Sequence, residues 1–188
     1  VRLGVELCGG LKNVVSLAAG FVEGLGLGAN TKAVVIRAGL LEMARFAEEI
    51  VVPAEGIDDD GDGLAVNRET FFTQSSGIGD LVLTCSVGRG RQLAARFLQE
   101  REMRGQCNSP KESAKRWARL EDEMFDGMKL PDWKNAQAVH AALEAAKSMG
   151  GDSHYFPLFE AVYAISFEGA DPRGLVDALH QSIAKGCI

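Results

Sequence analysis

The stretch from Leu7 to Val22 constrains the fold most. Its apolar residues Leu7, Leu11, Val14, Val15, Ala18 and Val22 recur at steps of three and four, the signature of one helix face. Gly24-Leu25-Gly26-Leu27-Gly28 then ends the pattern, because glycines in series favour turns and close backbone approach. Asn30 or Thr31 offers a cap for a second long helix, in which Ile36, Leu40, Met43, Ala47 and Ile50 share a face. Pro53 and Gly56 are expected to stop it.

The same logic reads the rest of the chain. An acidic stretch (Asp58, Asp59, Asp60, Asp62) leads to the glycine-rich turn Gly77-Ile78-Gly79, with Asp80 where an N-cap belongs. Leu81, Val82, Leu83 and Cys85 then form a short buried element. Gly88-Arg89-Gly90 interrupts before Leu93, Ala94 and Phe97 resume a helical step. The segment 102–110 reads as an inserted loop, and Lys111 to Glu123 as a charged stretch around Trp117. A helix over Ala136 to Met149 is expected to end at Gly150-Gly151, and two more open at Phe156-Pro157 and Asp171-Pro172. No segment alternates with period two between hairpin turns, so the expected fold is all-α, one multi-helix domain over 1–188.

Composition narrows the function. With 188 residues, 46% hydrophobic and 24% charged, the chain is an ordinary globular domain that buries roughly 70% of its unfolded surface. Twenty Lys plus Arg against 26 Asp plus Glu give a net charge of −6, the wrong sign for broad attraction to nucleic acid or an anionic membrane. Any anionic ligand has to be caught locally. The longest uncharged run, Asn13 to Val22, falls short of the ~20 apolar residues of a membrane span, so no transmembrane helix is expected. Cys8, Cys85, Cys107 and Cys187 show neither disulfide nor zinc spacing, and we read them as reduced thiols of a cytoplasmic protein. The opening at Val1 shows no signal peptide, and we expect that the natural N-terminus lies upstream.

Lys12 lies within the first apolar helix, between Leu11 and Val14, with Asn13 beside it. If buried, its ammonium loses hydration, which suits a proton donor or acceptor; if not, it occupies the solvent face. Arg89 sits between two glycines at a helix start, where orphan N–H groups, the positive dipole end and a guanidinium together suit a phosphate. The alternative is a basic residue on an exposed turn. Gly24-x-Gly-x-Gly28 follows a helix, not a strand, so a dinucleotide loop is rejected there. Asp58-x-Asp60-x-Asp62-Gly63 with Glu69 satisfies the residue pattern of a calcium loop, yet Pro53 and Gly56 break the expected incoming helix. A solvated acidic insertion is the simpler reading, and no metal site is assigned. His140, His154 and His180 have no ligand partner at helical spacing.

Leu7-Cys8-Gly9-Gly10-Leu11-Lys12-Asn13-Val14, Gly24-Leu25-Gly26-Leu27-Gly28, Gly77-Ile78-Gly79-Asp80-Leu81, Thr84-Cys85, Gly88-Arg89, Gly127-Met128-Lys129-Leu130 and Phe156-Pro157-Leu158-Phe159 resemble, in order, the NAD-dependent glycerol-3-phosphate dehydrogenases. The resemblance implies the all-helical C-terminal substrate domain, a relative of the 6-phosphogluconate dehydrogenase C-terminal fold, with the Rossmann NAD domain absent from this chain. It implies that Lys12 passes the proton, that Asp80 and Thr84 orient it, and that Asn13 belongs to the same pocket. It further implies that Arg89, flanked by Gly88 and Gly90, binds the substrate phosphate, and that Arg89 and Lys129 approach the nucleotide. The implied substrate is dihydroxyacetone phosphate or glycerol 3-phosphate, the cofactor NAD, and the assembly a homodimer. Gly90 stands where the family usually has asparagine, and Pro131 where a cofactor-contacting glutamine is often found. Competing expectations are a non-catalytic dimerisation or calcium-responsive module, and a related β-hydroxyacid dehydrogenase.

Overall fold

The computed structural model describes residues 2–54, 67–107, 109–149 and 155–184. Asp58, Asp60, Asp62, Gly56, Gly150-Gly151, His154 and Cys187 lie outside them. Ten α-helices are described: α1 (Arg2–Gly24), α2 (Ala29–Phe46), α3 (Val52–Ala54), α4 (Glu69–Thr73), α5 (Asp80–Val87), α6 (Arg89–Arg104), α7 (Pro110–Phe125), α8 (Asp132–Ser148), α9 (Pro157–Tyr163) and α10 (Gly174–Ala184). Three π-helical turns, Ala47–Val51, Ser75–Gly79 and Ala164–Glu168, extend or join them. No strand occurs among the described residues, as the missing period-two pattern implied.

Helix α1 is the axis. It packs on α2, α5, α6 and α8, and Leu17, Ala18, Phe21 and Val22 are fully buried. The stretch from Leu3 to Gly24 has the length and mean hydropathy, 1.3, to cross a membrane, which the uncharged-run criterion had not shown. Two-thirds of that apolar window is covered by the fold's own helices, the signature of a core helix. Gly20 permits the closest approach, since a Cβ there would lie 2.2 Å from the Arg91 carbonyl oxygen on α6. At the same crossing Glu23 binds both Lys32 of α2 and Arg91 of α6.

Several boundaries differ from the sequence reading. Pro53 does not end the second helix, because a π-helical turn and α3 carry the chain helically to Ala54. Lacking an N–H, Pro53 costs that run one backbone hydrogen bond without ending it. Helix α2 takes Gly28, in extended conformation, as its N-cap, and neither Asn30 nor Thr31 caps it. The segment expected to loop from Glu102 is helical as far as Arg104, and Gly105 at φ 82° turns the chain out. Ser109 then caps α7 by accepting from the Glu112 N–H, with Pro110 opening the helix. Asp80 is not a cap. It is the first residue of α5, and its carboxylate is used elsewhere.

Three buried glutamates tie helices together, and periodicity does not reveal them. Glu100 of α6 receives Arg119 of α7, with Arg96 and Arg104 nearby. Glu121 of α7 accepts the Leu130 N–H at 2.9 Å and the Trp133 indole N–H at 2.8 Å, which fixes the start of α8. Glu42 of α2 accepts the N–H groups of Leu158 and Phe159 at 2.9 and 3.0 Å. Helix α9 has no side-chain cap of its own, so Glu42 satisfies its first-turn donors from across the core. Burial pushes the Glu42 carboxyl up to about 8, against the two amides and Arg45, which pull it down.

Because the Glu42 carboxyl holds its proton more tightly folded than unfolded, its contribution is full below its unfolded value near 4.5 and is lost as pH rises through about 8. Wild-type stability, followed by urea denaturation between about pH 6.5 and 8.5, is therefore expected to fall with pH more steeply than that of Glu42→Gln. Equal slopes would contradict this account of α9.

Candidate functional site

The site is built at a one-residue corner between α5 and α6. Helix α5 ends at Val87, and Gly88, extended at φ −62° and ψ 149°, is the N-cap of α6. The Gly88 N–H donates to the Thr84 carbonyl at 2.9 Å, and a Cβ at Gly88 would lie 2.3 Å from that oxygen. Only glycine fits this corner. Arg89, exposed, therefore stands at the first position of a 16-residue helix whose leading N–H groups have no intrahelical partner. Its guanidinium lies against the Met128 sulfur and makes no salt bridge among the described residues.

Across from this corner runs α1. Lys12 is half-buried and forms an ion pair with Asp80. The Thr84 hydroxyl, one turn further along α5, donates to the other Asp80 oxygen at 3.4 Å, a long contact. The ammonium is thus aimed by a carboxylate that is itself steadied from its own helix. Asn13 is buried, and its amide nitrogen donates to the Gly9 carbonyl at 3.0 Å, which leaves its oxygen as an acceptor.

Lys12, Asn13, Thr84, Gly88, Arg89, Gly90, Leu130, Pro131 and Asp132 line a single cleft of about 250 Å³. The structure therefore brings together Lys12, Asn13, Thr84 and the Gly88-Arg89-Gly90 turn, with Asp80 behind Lys12. Lys129 is not in the cleft wall. It is exposed, 2.7 Å from Asp122 and 3.8 Å from Glu121, and these acids hold its ammonium above the usual lysine range, Asp122 foremost. Glu69, the described member of the acidic pattern, is an exposed residue opening α4. Among the described residues no group of three or more His, Cys, Asp or Glu is placed to hold a metal.

Asp132 is the residue that sequence reasoning missed. It reads as an ordinary acidic residue in the first turn of α8, yet it is 4% exposed. Its carboxyl fills the space beside Gly90, where a Cβ would lie 1.6 Å from Oδ1 and 2.2 Å from Cγ. Where the resemblance leads one to expect asparagine, glycine leaves room for this carboxyl, which any Cβ would displace. The departure at position 90 was the signal, but nothing in the sequence named its partner. Burial raises the Asp132 carboxyl to about 6, while its own N–H, the Ser16 hydroxyl and Arg89 pull the other way. Burial likewise pushes the Cys8 and Cys85 thiols up to about 11 and about 12, too high for a thiolate to act in this site near neutral pH.

A lysine–carboxylate pair and an arginine-bearing helix start in one small cleft suit proton transfer and the binding of an anion. Residues 2–177 match the family model described as the C-terminus of NAD-dependent glycerol-3-phosphate dehydrogenase, and the chain belongs to that family. It is 38% identical over 175 residues to glycerol-3-phosphate dehydrogenase 1-like protein of Xenopus tropicalis, covering 93% of this chain and 42% of that protein. To the cytoplasmic NAD(+) glycerol-3-phosphate dehydrogenase of Rattus norvegicus it is 38% identical over 165 residues, covering 88% and 39%. Among solved structures, glycerol-3-phosphate dehydrogenase of Saccharomyces cerevisiae superposes with a TM-score of 0.71 at 32% identity, covering 94% of this chain and 42% of that one. The Dunaliella salina enzyme gives 0.73 at 31% identity, covering 94% and 26%. The chain thus spans about two-fifths of the length of the curated relatives it matches.

A double-mutant cycle on Lys12→Ala and Asp80→Ala, read by urea denaturation, is expected to give a coupling of about 0.5–1 kcal/mol, discounted for the pair's partial exposure. A coupling of zero would contradict the pairing.

Proposed function

We propose that this chain is the substrate-binding half of an enzyme that interconverts dihydroxyacetone phosphate and glycerol 3-phosphate with NAD. The observation that carries this reading is the single cleft in which the Lys12–Asp80 pair faces the Gly88-Arg89-Gly90 helix start. The pair suits a proton transfer and the helix start an anion, and both line one space of about 250 Å³, sized for a small molecule.

In this reading the substrate phosphate docks at the start of α6, held by the Arg89 guanidinium and the orphan N–H groups of the first turn. Lys12 Nζ then delivers a proton to the carbonyl oxygen on carbon two, or takes it back from the hydroxyl in the reverse direction. Asp80 holds the ammonium in place and Thr84 steadies Asp80. The free oxygen of the Asn13 amide accepts from a substrate hydroxyl. Bound NAD supplies the hydride chemistry at carbon two.

The described residues contain no strand, and so no strand–glycine–helix cradle for the nucleotide phosphates. What they offer is the rim beside Lys12. On α5, next to Thr84, Val82, Leu83 and Val87 are 43%, 59% and 62% exposed, an apolar face that a further domain carrying NAD would cover. We assign that domain to a dinucleotide-binding fold elsewhere in the polypeptide, with Lys129 and Arg89 approaching the nucleotide from this side. The same reading takes the protein as a cytoplasmic homodimer acting on a phosphate ester, with neither nucleic acid nor a membrane as partner; the cytoplasmic placement follows the names of its relatives.

The test is NADH oxidation by dihydroxyacetone phosphate in the full-length protein. Lys12→Ala is expected to lower kcat by about 10²–10⁴-fold, the usual worth of a positioned acid or base. Arg89→Ala is expected to act on KM, raising it by about 10–100-fold, as the loss of a charge-assisted phosphate contact. Wild-type turnover in both variants would contradict the assignment, and turnover of an unphosphorylated hydroxy acid alone would replace the substrate.

A further inference from the structure

One group in the cleft has the wrong sign for the ligand just assigned. Asp132 lines the same space as Arg89 and Lys12 and is buried, with only its own N–H and the Ser16 hydroxyl of α1 turned to its carboxyl among the described residues. An ionised carboxylate buried there is costly, and a phosphate docked at the Gly88–Gly90 turn adds up to two further negative charges.

We propose that Asp132 is a specificity-determining residue of the phosphate site, which takes up a proton from solvent when a dianion docks at Arg89, so that ligand affinity falls as pH rises. The proposal rests on the phosphate-site reading above. The balance is simple: the dianion enters, one proton from solvent adds to the Asp132 carboxylate, and no other bond forms or breaks. Gly90 sets the arrangement, because the absence of a Cβ lets the carboxyl lie directly against the backbone that receives the ligand. Asp132 already binds its proton unusually firmly before any ligand arrives, chiefly through burial. A docked dianion strengthens that hold further.

The surroundings divide by sign. Lys12 from α1 and Arg89 from α6 are cationic, but Lys12 is paired to Asp80 of α5. Glu121 of α7, fully buried, adds negative charge, with Lys129 3.8 Å from its outer oxygen and bonded to Asp122. Cys85 of α5 also faces Asp132, and its thiol stays protonated at neutral pH. Arg89 is therefore the one cation lining the cleft that no carboxylate pairs among the described residues, and the ligand would engage it at the expense of Asp132.

Inorganic sulfate is the probe, because its charge does not change with pH across the working range and any titration then belongs to the protein. In the full-length enzyme, sulfate is expected to compete with dihydroxyacetone phosphate and to lose affinity by up to about tenfold per pH unit above about pH 6, a one-proton slope. Asp132→Asn should flatten that slope. Calorimetry of sulfate binding to the wild type in two buffers of different ionisation enthalpy gives the proton uptake directly, and covers the case in which the variant fails to fold. Competition that Arg89→Ala leaves undiminished would overturn the phosphate-site reading itself. Competition through Arg89 with a flat wild-type profile, an unchanged slope in Asp132→Asn, or no proton uptake would overturn the role of Asp132 alone.

Discussion

The structure depends on how closely α6 can approach α1. That contact is glycine-limited at Gly20, where the Arg91 carbonyl occupies the space a side chain would need. Because the two helices touch backbone to side chain, the start of α6 is carried to the same end of the fold as Lys12. A larger residue at position 20 would push α6 outward and open the cleft before it disturbed the rest of the core. The position of the candidate site is thus set by packing several turns away from it, with Glu23 clamping α2 and α6 to the same end of α1.

Much of this was legible in the residues. The three- and four-residue steps of α1 and α2, the proline at the start of α9 and the glycine corner before α6 all followed from local chemistry, since each is decided by neighbours within a turn or two. What local chemistry could not supply was the tertiary use of polar side chains. Asp80 looked like a cap. It is instead taken by Lys12, 68 residues away. Glu42 is the extreme case: it caps a helix 116 residues further along, and no periodicity encodes that. Helix lengths erred at the same places, because a π-helical turn lets the chain pass Pro53 without leaving the helix.

The buried carboxylates form a pattern with functional weight. Glu100 and Glu121 each bind arginine or N–H donors through one oxygen, and they hold helices in register. Asp132 differs from them in place, with its carboxyl against Gly90 in the cleft wall. A buried carboxyl is expensive to ionise, and one that lines a candidate ligand site couples its charge to whatever binds there. The family resemblance located Lys12, Asp80, Thr84 and Arg89, and its two departures, Gly90 and Pro131, flank the aspartate that the resemblance did not include.

The most direct measurement is a crystal structure of the full-length protein with glycerol 3-phosphate bound. The account requires the phosphate at the Arg89 helix start and the carbon-two hydroxyl within hydrogen-bond reach of Lys12 Nζ, with both contacts made by one molecule inside the cleft bounded by Leu130 and Asp132. A ligand seated elsewhere, or turned so that its phosphate meets Lys12 and its hydroxyls meet Arg89, would contradict it.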